Sequence, residues 1–189
     1  MQPHMVQPAA AKGALRNLSS PALTESIIDG KSYVVSKIMV HAPAEEVWRV
    51  LTDYPNAHKV FPQMKKCQVV KDEGSTKLIK HTVAPSGPVG TYTYTVRVKE
   101  TAPHSLEWTR VSGAFKDVKG YWKLEKLDGG RTTMVTYASF VDGGFLLPQP
   151  LIKRQCRMDM PNVMSCLKQE VEQHMQHIAE KPKSSSTNL

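Results

Sequence analysis

The chain has 189 residues, of which 40% are apolar and 22% charged, a balance that suits one globular domain with a full core. Its apolar runs, such as Phe145-Leu146-Leu147, are a handful of residues long, far short of the roughly 20 that a membrane-spanning helix needs. Lys and Arg number 25 against 17 Asp and Glu, a net charge of +8. The basic residues are scattered in runs of at most two, which reads as a solvated cationic surface and not as a nucleic-acid tract.

The three cysteines, Cys67, Cys156 and Cys166, are odd in number and lack CxxC spacing, which argues against a disulfide scaffold and a zinc site and for a reducing compartment. Residues 1–30 are rich in Ala, Pro, Gln and Ser, with no acidic residue before Glu25. They read as a disordered leader or a weak transit-like segment. The polar tail 181–189 reads as disordered, leaving 31–180 as the folded domain. The expected location is intracellular and soluble: a mitochondrion or plastid if the leader is a transit segment, the cytoplasm otherwise.

Tyr33 to Val40 is β-branched and apolar and predicts a strand. Pro43, Glu45 and Glu46 then open a helix with Val47, Val50 and Leu51 on its apolar face. It ends near Asp53, because Tyr54 precedes Pro55; Asn56 to Phe61 adds a second short helical turn. Alternation predicts six more strands, at Lys66–Asp72, Thr76–Val83, Thr91–Thr101, Ser105–Ser112, Phe115–Leu127 and Arg131–Val141. Gly and Pro turns separate them, and Asp128-Gly129-Gly130 marks a hairpin. Leu151 to Ile178 is a long helix with Ile152, Cys156, Met160, Val163, Leu167, Val171 and Ile178 on one face, kinked at Pro161. The order predicts an α+β helix-grip fold. About seven antiparallel strands curve around the long C-terminal helix, with one or two short helices after the first strand. One helix cannot fill such a sheet, so a cavity is expected between them.

The stretch Ile38 to Leu51 (IMVHAPAEEVWRVL) resembles the opening of SRPBCC proteins, the superfamily of START domains, polyketide cyclases and coenzyme Q-binding proteins. Asp53-Tyr54-Pro55 with Phe61-Pro62, Gly120-Tyr121-Trp122-Lys123-Leu124 and the loop Gly143 to Pro150 resemble later motifs of that superfamily. The resemblance covers Ser32 to Ile178 and is strongest to the cyclase/dehydrase-like and coenzyme Q-binding branch. It implies a START-like fold around a hydrophobic ligand.

Strand alternation then names the cavity candidates. Val118, Gly120, Trp122 and Leu124 share one face of their strand, with Gly120 leaving space beside Trp122 for a ligand or the helix. Leu106, Trp108 and Arg110 share another, which makes Arg110 a candidate polar anchor for a ligand carbonyl or carboxylate. Tyr92 and Tyr94 line a third strand, and Cys156, Met160 and Val163 lie on the facing helix stripe. Phe145, Leu146 and Leu147, between two glycines and Pro148, are the candidate gate.

No GxSxG, HExxH, Walker or GxGxxG pattern occurs, so no catalytic residue, cofactor or metal is assigned. Glu170, His174 and His177 share a helix face but lack a fourth ligand. The expected function is non-catalytic binding or transport of a small hydrophobic ligand (a quinone, isoprenoid or other lipid), with transient contact to an anionic membrane surface and no nucleic acid. A polyketide cyclase/dehydrase-like enzyme is one alternative, with Arg110, Tyr92, Tyr94 and Tyr137 as its polar groups. A protein-interaction module is the other. Oligomeric state is not readable.

Overall fold

The computed structural model describes residues 18–145 and 147–180. The gate residue Leu146, most of the leader and the tail 181–189 lie outside the described residues. Eight strands form one antiparallel sheet in the order β1-β2-β8-β7-β6-β5-β4-β3. They are β1 (Ala22–Ile28), β2 (Lys31–Val40), β3 (Met64–Glu73), β4 (Thr76–Val83), β5 (Tyr92–Thr101), β6 (Ser105–Gly113), β7 (Asp117–Leu127) and β8 (Thr132–Asp142). Between β2 and β3 come α1 (Ala44–Thr52), a 3-10 turn at Tyr54–Asn56 and the short α2 (Ala57–Val60); α3 (Gln149–Glu180) ends the fold. The helix-grip architecture is present, with one strand more than the alternation predicts.

That extra strand is β1, which lies inside the segment read above as leader. It pairs with β2 over seven residues, from Ala22 with Lys37 to Ile28 with Lys31. Asp29 and Gly30 turn the hairpin, both with positive φ (49° and 70°), the backbone that Asp-Gly favours in a tight two-residue turn. Thr24, Glu25, Ser26 and Ile27 are exposed, so β1 has little apolar alternation to advertise itself. Glu25 nevertheless binds Arg157 (2.7 Å) and Lys153 (3.5 Å) on α3, tying the edge strand to the helix.

α1 forms where expected. Glu45 and Glu46 sit in its first turn, and Ala44, Val47, Val50 and Leu51 are buried, so charge complements the positive helix end while the apolar stripe faces the core. Thr133 Oγ1 donates to the Ala42 carbonyl (2.8 Å) and fixes the turn from β2 into α1. α3 runs through Pro161 as one helix. Met164, Leu167 and Val171 are fully buried, at roughly 1.5–3 kcal/mol each when removed from water. Lys168 Nζ donates to the Met39 carbonyl (2.9 Å), and the His41 amide donates to Glu172 (2.8 Å), so β2 holds this half of the helix. Ile178, placed on the apolar stripe by its spacing, is instead exposed, seven residues beyond Val171, the last buried residue of α3. Among the described residues no helix is long and apolar enough to cross a membrane.

Gly120 corrects an expectation. A Cβ there would stand 2.2 Å from Trp108 Cζ2 and 2.4 Å from the Ala138 carbonyl oxygen. The indole of Trp108 therefore already occupies the space beside Trp122, and neither a ligand nor α3 fills it. Leu124 is likewise packed into the core at 3% exposure.

His81 of β4 stands between Cys67 of β3 and Tyr94 of β5 in the register, edge-on to the Tyr94 ring at 5.4 Å between centroids. Burial without a charged partner lowers its pKa to about 4 from 6.5, since desolvation disfavours the imidazolium. The unfolded chain therefore binds the proton first as pH falls, and stability is lost from about pH 6.5 down to about pH 4. Denaturant unfolding at neutral pH and near pH 5 should show roughly 2 kcal/mol less of this loss in His81→Phe than in the native chain. An unchanged pH dependence would mean that other groups carry it.

Candidate functional site

The C-terminal half of α3 fills the concave face, and its N-terminal half does not. Ile152, Gln155, Cys156 and Asp159 are half-buried and roof a cavity of about 190 Å³. Its floor is β5 and β8, through Tyr92, Tyr94, Tyr137, Ser139 and Val141. Pro85 and Val89 of the β4–β5 loop, with Leu147 and Leu151, border its mouth. A deeper compartment of about 200 Å³ continues toward α1, lined by Leu51, Tyr54, Phe61, Cys67, His81, Trp108 and Trp122. Gln63, Val83, Tyr94, Tyr137, Ser139, Val141 and Val163 border both spaces, so the two compartments adjoin at a waist formed by these residues.

Aromatic rings line it on two sides. Tyr137 stacks on Trp122 at 4.1 Å and 12° between planes, and Trp122 on Phe61 at 6.5 Å. Tyr92 and Tyr94 lie 5.0 Å and 5.3 Å from Phe115. β5 and β8 are three strands apart in the sheet order, so sheet curvature brings these two sets to one space. A wider groove of about 600 Å³ lies by the β1–β2 turn, but Asp29, Glu107, Lys119 and Lys123 line it, and it lacks the enclosed apolar walls of a small-molecule site.

Of the residues named from sequence, Tyr92, Tyr94, Cys156, Met160 and Val163 line the upper compartment. Trp108 and Trp122 line the deeper one with Tyr94 and Val163. Gly120 and Leu124 line neither and instead border the outer groove. Arg110 lines neither compartment. Its Nη2 donates to the Gly113 carbonyl (2.8 Å), while its Nε is buried with no hydrogen-bond partner among the described residues. Of the gate residues, Leu147 borders the mouth and packs against Gly143, where a Cβ would meet its Cβ at 2.4 Å. Phe145 is fully exposed.

Sequence reading missed the polar residues at the waist and mouth. Gln63 Oε1 is buried with no hydrogen-bond partner among the described residues. Asp159 accepts from Gln155 Nε2 (2.8 Å) and from the Ser86 amide (3.3 Å), linking α3 to the β4–β5 loop. Ser139 was findable, since it alternates with Tyr137 and Val141; Gln63, in a loop after Pro62, carries no periodic signal. Burial raises the pKa of the Tyr94 and Tyr137 hydroxyls and pushes the Cys156 thiol up to about 11.

The family of polyketide cyclase/dehydrase and lipid transport proteins matches residues 33–177. No curated protein matches the chain. Among solved structures, the Zhui aromatase/cyclase of a Streptomyces species superposes with a TM-score of 0.67 at 16% identity, over 76% of this chain and 94% of that one. A START superfamily protein from Mycobacterium smegmatis gives 0.65 at 18% identity, over 75% and 97% of the two chains. A STAR-related lipid transfer protein from Xanthomonas axonopodis gives 0.65 at 16% identity, over 81% and 99%. At such identities the likeness is one of fold. The match over most of the folded chain carries the assignment: the protein belongs to the polyketide cyclase/dehydrase and lipid transport family.

Proposed function

We propose that the protein binds a small, largely apolar molecule in the waisted cavity and carries it without chemical change. The observation that carries this reading is the cavity itself: two adjoining, largely apolar compartments under the N-terminal half of α3. An unfilled apolar space of this size costs on the order of several kcal/mol, which a bound ligand offsets. Four titratable groups in the walls, His81, Cys156, Tyr94 and Tyr137, favour carriage over catalysis. His81 is neutral at physiological pH and a poor base, with its pKa lowered to about 4. The Cys156 thiol and the Tyr94 and Tyr137 hydroxyls are held protonated, and efficient acid–base catalysts have pKa values near the working pH.

Val163 borders both compartments, so Val163→Trp should fill the waist. Native mass spectrometry of the purified protein should recover an apolar molecule that the variant lacks. The variant should also bind a neutral fluorescent probe, N-phenylnaphthylamine, at least about tenfold more weakly. A folded variant that keeps both ligand and probe would remove the cavity from the function.

Loading belongs, in this reading, to the mouth. Leu147 staples the β8–α3 loop, while Phe145 is left in water, with Leu151 and Met158 of α3 also exposed. Three apolar side chains beside exposed Lys116 and Arg154 suit brief contact with an anionic bilayer. Burying one Phe contributes roughly 1.5–3 kcal/mol. Phe145→Ser should therefore slow probe transfer between anionic vesicles by about tenfold or more, leaving melting temperature and equilibrium affinity unchanged. Normal transfer with a lowered melting temperature would make Phe145 a packing residue.

A further inference from the structure

We propose that this cavity, read as a carrier site, selects uncharged ligands that pair a flat ring with a hydroxyl group and excludes carboxylates. The reading rests on which charges line the cavity. Among the described residues that line either compartment there is no Lys or Arg, in a chain of net charge +8. Cations close to the site in sequence are committed elsewhere. Lys153 and Arg157 of α3 bind Glu25, Arg154 is exposed, and Arg110 lies outside the walls of both compartments, with its Nη2 on the Gly113 carbonyl. The one carboxylate in the walls is Asp159, at the mouth compartment. A carboxylate ligand would thus pass a like charge and lose its water with no cation to meet it, a penalty that makes it protonate or stay out.

The waist specifies the hydroxyl. Gln63 Oε1 is a buried acceptor without a donor, and leaving such a group unmet is costly, whereas a ligand O–H satisfies it. A carbonyl or carboxylate has no proton to give. The Tyr94, Tyr137 and Ser139 hydroxyls border the same waist and can donate to the ligand oxygen. The ring is specified by the walls, since the Tyr137–Trp122–Phe61 stack and the Tyr92–Phe115–Tyr94 cluster offer flat faces to a flat partner.

Naphthol, naphthoate and naphthalene separate the terms when titrated calorimetrically into the full-length protein at neutral pH. Naphthol should bind at least about tenfold tighter than naphthoate and several-fold tighter than naphthalene. Gln63→Leu should bring naphthol down to the level of naphthalene while leaving naphthalene unchanged; Gln63→Glu, which keeps an acceptor, should retain the naphthol preference and control for folding. Asp159→Asn should raise naphthoate affinity, and Arg110→Met should change none of the three. Naphthoate binding as tightly as naphthol overturns the selectivity. If that binding also falls in Arg110→Met, the guanidinium is the anchor after all. Naphthalene failing to bind at all, with Val163→Trp indistinguishable from the native chain, overturns the carrier reading itself and the selectivity with it.

Discussion

An antiparallel sheet of eight strands curves around more apolar surface than one helix can cover, and the rest of the molecule follows from that mismatch. α3 spends its burial unevenly. Met164, Leu167 and Val171 are driven into the concave face, and Lys168 and Glu172 bond to the backbone around β2. The first three turns have no comparable purchase. They rest over a floor of tyrosines and serine, held by Glu25 on one side and by the Ser86 amide on the other. A close-packed interior tolerates few voids larger than water, so a gap of this kind persists only where the elements that could fill it are fixed elsewhere.

Much of this was legible in the sequence. Seven of the eight strands, both main helices and the hairpin at Asp128-Gly129-Gly130 follow from period-2 alternation, helical spacing and turn chemistry, because each half-buried element writes its burial into its sequence. β1 did not, since an exposed edge strand whose middle reads Thr-Glu-Ser-Ile has no apolar face, although Asp29-Gly30 before a β-branched run was a usable hairpin signal. The cavity residues split on similar lines. Tyr92, Tyr94, Trp108, Trp122 and the α3 stripe were readable because inward alternation and cavity lining coincide. Arg110 and Gly120 lie outside the lining of both compartments, because alternation gives a face and says nothing of the neighbour that gets there first, as the Trp108 ring does at Gly120. Gln63 and Asp159 are polar side chains whose position depends on tertiary contact alone.

Charge is sorted as strictly as apolar surface. The cationic excess stays outside or is neutralised locally, as in Lys31 with Asp117 and Lys126 with Glu45, pairs near the surface that contribute little to stability individually. Inside, the ionisable side chains His81, Cys67 and Cys156 are held in their neutral forms, with pKa values of about 4, 12 and 11. The chain thus keeps most of its charge in a cationic shell, with Asp159 the one carboxylate among the described residues in the walls of the two compartments.

The hairpin of β1 with β2 has a bearing on how the protein behaves toward copies of itself. Seven register pairs occupy the outer edge of β2 from Lys31 to Lys37. A chain that began at Tyr33 would leave that edge as a row of unpaired amides and carbonyls flanked by Val34 and Val35. Such a row is a template for strand addition from a second molecule. Loss of β1 would also remove Glu25 and unfasten the roof of the cavity. β1 is itself the edge of the sheet, so the hairpin replaces an edge flanked by Val34 and Val35 with one reading Thr-Glu-Ser. Its loss would expose the more association-prone of the two while freeing Lys153 and Arg157 from Glu25.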